Sequence, residues 1–325
     1  MRRFFLAALL LALLVGGIFL LQKYDIEGLG AVKLRPKTGT GSETAGSPAP
    51  PAAAGATIRI ATFNIQMLGE SKLAKPKVVH VLAQILRRFD VVAIQEVRAE
   101  SQDIIPRLVD HVNADGARYD YVIGPRLGRS SSKEQYAYVF NQASLEADRD
   151  AIYTVEDTDD RLHREPLVAA FRARGPPAER AFTFTLVNIH VDPDETETEL
   201  AALDDVLRAV QADGRGEDDI ILLGDLNVDD RHLGELGMMP GIGWAISGIA
   251  TNTRGTRTYD NIVYHAFATS ERTGRAGVLD VMREFNLTMQ ETLSISDHLP
   301  VWIETSVYEG GEAGRIATRP RRPLP

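Results

Sequence analysis

The chain contains no cysteine. That excludes a disulfide framework, a thiolate zinc site, a cysteine nucleophile and any cysteine-linked lipid anchor, and it leaves the redox compartment unread. An excess of positive charge is missing too. The 36 Lys and Arg against 45 Asp and Glu give a formal net charge of −9, so composition does not predict a generic electrostatic grip on nucleic acid, and any polyanion must be met by a local patch. Core-forming residues are not lacking. With 44% hydrophobic and 25% charged residues over 325 positions, the chain has the balance of one that folds around a core, as one large α/β domain or two small ones.

The two ends differ from the middle. Arg2 and Arg3 precede an uncharged run of 18 apolar residues from Phe4 to Leu21, at the lower end of the length that crosses a bilayer and longer than an ordinary signal-peptide core. Residues 1–21 are therefore read as a signal-anchor or transmembrane segment. A cleaved signal peptide is the alternative, since Gly16 and Gly17 could serve a peptidase. A buried core helix fits poorly, because no polar face exists. Residues 22–56 end in TGTGSETAGSPAPPAAAGA and read as a flexible Pro/Gly/Ala-rich tether. Residues 307–325 read as a disordered basic tail. The first 56 residues carry six basic and three acidic groups and the last 19 carry four and two, so the segment 57–306 holds −14 of the net −9. The expected placement is at a membrane with the folded domain outside the cytoplasm, or secreted if the leading segment is removed.

Within 57–306 strand-like runs alternate with helical ones. β-branched or aromatic runs occur at 57–65, 90–97, 119–124, 134–140, 167–173, 181–190, 219–227, 258–265 and 298–305, and amphipathic helical patterns at 75–89, 102–114 and 196–212. Strands without a helix between them point to antiparallel pairing within two sheets, with helices on the outer faces. The fold expected is α/β, a four-layer α/β/β/α sandwich of two packed mixed sheets.

Several of these apolar runs end in a polar residue: Asn64, Glu96, His190, Asp225 with Asn227, Asp260, and Asp297 with His298. A single such residue is usually a turn or strand cap, but six ends together read as a site at one sheet edge. Carboxylate and amide oxygens with no thiolate select a hard cation such as Mg²⁺ or Mn²⁺, which keeps waters and substrate phosphate oxygens. Glu96 is the best first ligand. Period-two spacing sends Asp225 and Asn227 from one strand face, able to hold a metal or an attacking water. Adjacent Asp297 and His298 can divide metal and proton-transfer duties. His190 and His298 each require a carboxylate to orient the ring, and Glu134 and Asp260 are the spare acids.

The ordered set IRIATFNIQ, AIQEVR, GRSSSKEQYAYVF, HREP, VNIHVDP, GDLNVD, TYDNIV and ISDHLPV resembles the endonuclease/exonuclease/phosphatase superfamily, and within it the deoxyribonuclease I family, over about residues 57–305. AIQEVR and KEQY preceded by LGR favour that family over the phosphoinositide phosphatase and sphingomyelinase branches. The resemblance implies a divalent-metal-dependent endonuclease acting on DNA, with Mg²⁺ or Mn²⁺ as cofactor. It pairs His190 with Glu134 and His298 with Asp260 and makes Glu96 the metal carboxylate with Asn64 beside it. Asp225, Asn227 and Asp297 then complete the metal and water site, and Arg98, Arg129 and Arg164 contact DNA or hold the site together. No protein partner is inferable, and a monomer is expected.

Three departures stand out. The family's secreted animal members carry disulfides, whereas the loop from Tyr153 to His163 is shorter and unstapled here. That region keeps Asp157, Asp160 and Glu165, giving either a structural Ca²⁺ site or a merely solvated acidic loop; a second family calcium site lacks an acid in GIATNTRGTRTYD before Asp260. Ser132 replaces a tyrosine that stacks in the minor groove. The rival functions are a lipid-headgroup phosphoesterase of the same fold and an inactive acidic scaffold.

Overall fold

The computed structural model describes residues 57–129 and 133–310. The apolar run 4–21, the tether to residue 56, Ser132 and the chain from 311 onward lie outside the described residues, as do the expectations placed on them. Residues 307–310 of the expected tail instead pack onto the fold, with Phe182 N donating to Val307 O at 2.9 Å and Glu309 N to Arg180 O at 3.0 Å. The elements run β1 (Thr57–Leu68), α1 (Glu70–Leu73), α2 (Pro76–Leu86), β2 (Val91–Val97), α3 (Ile104–Asn113), β3 (Tyr119–Ile123), β4 (Gln135–Asn141), β5 (Leu145–Thr154), β6 (Leu167–Ala173) and β7 (Thr183–His190). They continue with α4 (Thr196–Gln211), β8 (Ile220–Asp225), α5 (Gly234–Met238), β9 (Ile242–Trp244), β10 (Asp260–His265), β11 (Arg272–Val278), α6 (Val281–Glu284), α7 (Met289–Ile295) and β12 (Val301–Ser306).

The strands form two six-stranded sheets, β11-β12-β1-β2-β4-β3 and β5-β6-β7-β8-β10-β9. Each holds a single parallel pair, β1 with β2 and β7 with β8, and the strands of each pair are joined through helices. A parallel partner requires a crossover, and a helix supplies it. The remaining pairs are antiparallel. The 134–140 run pairs within the first sheet, with β2 and β3, while 167–190 forms an antiparallel pair in the second.

Period-two alternation explains the layering. Ala61 and Phe63 of β1 and Val92 and Ile94 of β2 face the helices, packing on the α2 stripe of Val78, Val79, Leu82 and Leu86. Ile58, Ile60, Val91 and Ala93 face the other way, into a core shared with Phe184, Leu186, Ile221 and Leu223 of the second sheet. Val187, Ile220 and Leu222 turn outward again to α4, whose Leu200, Leu203, Val206 and Leu207 cover them. Both faces of the central strands are thus buried, each large aliphatic side chain contributing about 1.5–3 kcal/mol. Three apolar layers between four layers of backbone make the α/β/β/α sandwich.

Candidate active site

On the face that each central strand turns to the opposite sheet, apolar residues give way to polar ones at the same end. In β1 the order is Ile58, Ile60, Thr62, Asn64; in β2 it is Val91, Ala93, Gln95; in β7 it is Phe184, Leu186, Asn188, His190. β8 reads Ile221, Leu223, Asp225, and antiparallel β10 reads Asp260, Ile262, Tyr264 from that same end. Strand register sets His190 beside Asp225 and Asp225 beside Asp260. Beneath this edge lies a buried amide layer: Gln95 donates to Thr62 Oγ1 (2.9 Å) and Asn188 Oδ1 (2.6 Å), and Asn188 donates to the Ile94 and Ala137 carbonyls, both at 3.1 Å. A fully satisfied buried network of this kind fixes one relative placement of two sheets.

Glu96 reaches the site by breaking the alternation. After Gln95 the next residue of a regular strand would face the helices, but Glu96 has φ 63° and sits where the pairing shifts on both sides of β2. A left-handed residue at a bulge re-aims its side chain, at a cost of about 1–3 kcal/mol. Neighbouring groups hold it there: Met67 N donates to Glu96 Oε2 (2.9 Å), Asn64 Nδ2 to Oε1 (3.2 Å), and Arg98 Nε lies 3.2 Å from Oε2. Lys72, absent from the sequence reading, supports this turn from below by donating to the carbonyls of Ile65, Gln66 and Ile295. Its ammonium is buried, and burial lowers its pKa to about 8 against the pull of Glu96 and Asp297.

Two histidine–carboxylate pairs flank Asp225. His190 Nδ1 lies 2.8 Å from Glu134 Oε1, and His298 Nδ1 lies 2.9 Å from Asp260 Oδ2, which also accepts from Thr251 Oγ1 at 2.7 Å. Their Nε2 atoms lie 3.6 and 3.5 Å from one oxygen, Asp225 Oδ2, which Asn64 Nδ2 reaches at 3.0 Å. Tyr136 Oη, from the opposite sheet, accepts from His190 N at 2.9 Å. Asp225, Asp260 and His298 each offer a ligand atom within 4.8 Å of the other two. Asp260 Oδ1 and Glu134 Oε2 are buried without hydrogen-bond partners. A set so rich in hard oxygens suits a divalent cation or the donors of a phosphate complex. The groove of 690 Å³ bounded by Glu146, Arg172, Thr185 and Glu217 contains none of these residues.

Burial opposes charge on His298, but Asp260 and Asp225 outweigh it and push its pKa up to about 10. His190 is raised for the same reason, with Glu134 the main opposing charge to burial. Glu134 is held below the usual carboxylate range, since His190, Arg164 and Arg98 overcome its burial. In the metal-free protein the His298 imidazolium therefore stabilises the fold fully below about pH 6.5, and that contribution is lost as pH rises through about 10. The difference in unfolding free energy between parent and His298→Gln, measured in urea with chelator, is expected to hold steady below about pH 6 and to shrink from about pH 7 to 10. A difference unchanged up to the alkaline limit contradicts the raised pKa.

Other expected residues fall into place differently. Asn64 turns its amide nitrogen, not its oxygen, toward Glu96 and Asp225, and its Oδ1 accepts from Gln66 N at 2.9 Å. It thus bridges two carboxylates of the site. Asn227 does not leave β8 on the Asp225 face, because the strand ends at Asp225 and Asn227 has φ 53°. Its N–H caps Asp225 Oδ1 (3.0 Å) and its side chain donates to the Val191 carbonyl (2.7 Å). Asp297 sits at the rim, its side chain 48% exposed and 3.9 Å from His298 Nε2.

Arg164 is buried, with Nε 3.3 Å from Glu134 Oε1, so it holds the His190 pair and offers no open surface to DNA. Arg98 bridges Glu96 and Glu134 while staying part-exposed. Arg129 is tied to Asp160 and to Glu195 (2.6 Å) and donates to the Leu162 carbonyl. Asp160 is thus paired with an arginine, and Asp157 accepts from Leu162 N (2.6 Å). Among the described residues the carboxylates of Asp157, Asp160 and Glu165 do not gather into one cluster. Arg254 and Arg257, not foreseen, are exposed on the loop whose Asn252 bridges His298.

The endonuclease/exonuclease/phosphatase family model matches residues 61–298. Deoxyribonuclease-1-like 1 of Cricetulus griseus is 38% identical over 260 residues, covering 76% of this chain and 84% of that protein. Deoxyribonuclease gamma of Rattus norvegicus is 29% identical over 262 residues, covering 75% and 83%. Among solved structures, the human Nocturnin catalytic domain superposes with a TM-score of 0.52 at 18% identity, over 78% of this chain and 95% of that one, a likeness of fold alone. The chain belongs to the endonuclease/exonuclease/phosphatase family, on its deoxyribonuclease I-like side. Family and site together define a hydrolytic phosphodiesterase.

Proposed function

We propose that the protein is a divalent-metal-dependent endonuclease that hydrolyses DNA phosphodiester bonds. The observation that supports this most is the convergence of two carboxylate-oriented histidines on Asp225 Oδ2, at 3.6 and 3.5 Å. A phosphate seated between the two Nε2 atoms would take a hydrogen bond from each, and Asp225 Oδ2 would accept from the attacking water. One imidazolium then protonates the leaving 3′-oxygen, while Glu134 and Asp260 keep each ring oriented and charged. Asn64 holds Asp225 and Glu96 in place. Mg²⁺, or Mn²⁺, held chiefly by Glu96 with Asp297 near by, would supply charge neutralisation at the phosphate oxygens. Arg98, Arg254 and Arg257 would meet neighbouring phosphates on an otherwise acidic domain.

The apolar run 4–21 supports a membrane tether with the catalytic domain outside the cytoplasm, or secretion if it is cleaved. Among the described residues no helix is long and apolar enough to cross a membrane. The test is nicking of supercoiled plasmid by the full chain with Mg²⁺ or with chelator, set beside phosphate release from phosphoinositide and phosphocholine release from sphingomyelin. Metal-dependent nicking without headgroup release is the expected result. Headgroup release without nicking overturns the reading in favour of a lipid phosphoesterase.

A further inference from the structure

β8 starts one residue after Asp219 and ends on Asp225, so these aspartates lie about 20 Å apart, at six steps of ~3.3 Å. β10 runs away from the active centre and is followed by Glu271, and β12 runs the same way and is followed by Glu309. Three acids from distant parts of the sequence therefore meet at the far end of the sandwich. One carboxylate oxygen of each of Asp219, Glu271 and Glu309 lies within 4.8 Å of those of the other two. Asp219 and Glu271 are 1% and 2% exposed, while Glu309 stands at the solvent rim.

Their hydrogen bonding is incomplete. Asp219 Oδ1 and Glu271 Oε2 are buried with no partner, and the buried Thr269 hydroxyl lies against Asp219. Glu271 Oε1 accepts from Gly310 N at 2.7 Å, and Glu309 Oε2 from Thr183 N at 3.3 Å. Among the described residues no lysine, arginine or histidine pairs with any of the three, and the charged neighbours that bear on Glu309 are acids, Glu217 and Asp218 with Glu271. Buried carboxylates without a countercharge repel one another and are driven to take up protons. Burial and Glu271 push Asp219 up to about 9, and burial pushes Glu309 up to about 7.

A cation would satisfy every one of these deficits at once. Mg²⁺ prefers one or two protein carboxylates and several waters, whereas three carboxylates and a hydroxyl in irregular geometry, open to solvent on one side, suit the larger Ca²⁺. We propose that Asp219, Glu271 and Glu309, with Thr269, form a structural site for a calcium-sized divalent cation, separate from the hydrolytic centre. The ion would tie the turn before β11 and the chain after β12 to the start of β8, closing the end of both sheets. This proposal stands apart from the nuclease reading.

The test is calorimetric titration of Ca²⁺ alone into the full chain stripped with chelator, comparing the parent with Glu271→Gln, Glu309→Gln and Glu96→Gln. The parent and Glu96→Gln are expected to bind Ca²⁺ here, and Glu271→Gln to bind one Ca²⁺ fewer per chain. Glu309→Gln changes only the exposed rim, so it should fold as the parent does, and it is expected to bind about tenfold more weakly. Its catalytic rate under saturating Mg²⁺ should stay within about twofold of the parent. Equal stoichiometry and affinity in parent, Glu271→Gln and Glu309→Gln overturns the proposal, leaving the three acids held by shared protons.

Discussion

Glutamine in place of Glu96 is expected to reduce metal-dependent nicking by three orders of magnitude or more, the rate equivalent of about 4 kcal/mol, with the fold intact. The carboxylate is re-aimed by a left-handed backbone and held by Met67 N, Asn64 Nδ2 and Arg98 Nε. Met67 N and Asn64 Nδ2 donate to different carboxylate oxygens, so the amide can keep its oxygen toward only one of them and must turn its nitrogen toward the other. The charge that would face a metal is lost, and the orientation is weakened as well. Glu96 is part-exposed at the edge of the sheet, so thermal unfolding should move little. Nicking at the parental rate by a folded Glu96→Gln protein would remove Glu96 from the metal site.

The alternating strands were legible because their side chains are buried on both faces, and burial writes a pattern into the sequence. Three of the four sheet-edge strands were not. β5 carries ADRDA, β11 is RTGRAGV with most residues exposed, and β9 has three residues. An edge strand with solvent on one side needs no apolar alternation, so none is there to read. The same reasoning explains which site residues were found. His190, Asp225 and Asp260 continue the period of their strands inward, and their acid and imidazole chemistry marks them. Gln95 and Asn188 obey the same period but carry neutral amides, which pass as ordinary strand residues. The placement of Glu96 and Asn227 depends on a positive φ at each, which periodicity cannot foresee. Arg164 was legible as part of a motif, but its burial against Glu134 was not, because a buried arginine and a surface one look alike in sequence.

Alanine at His190 or at His298 is expected to lower nicking by about 10² to 10⁴ each, the range in which a general acid or base contributes. The two rings address the same oxygen from opposite flanks, at 3.6 and 3.5 Å from Asp225 Oδ2. A phosphate placed between them needs both donors, and the water oriented by Asp225 is useful only if the leaving oxygen is protonated in the same event. Loss of either ring therefore removes most of what the other could do. The double variant should fall far less than the product of the two single losses. The structural consequences differ. Removing His190 leaves Glu134 with Arg164 at 3.3 Å and Arg98 at 3.8 Å, so its charge stays compensated. Removing His298 leaves Asp260 buried beside Asp225 in the register with only Thr251 as a side-chain partner. His298→Ala should thus be the less stable of the two above neutral pH, in thermal melts with chelator. Strictly multiplicative rate losses would mean that the histidines serve separate steps and that Asp225 does not couple them.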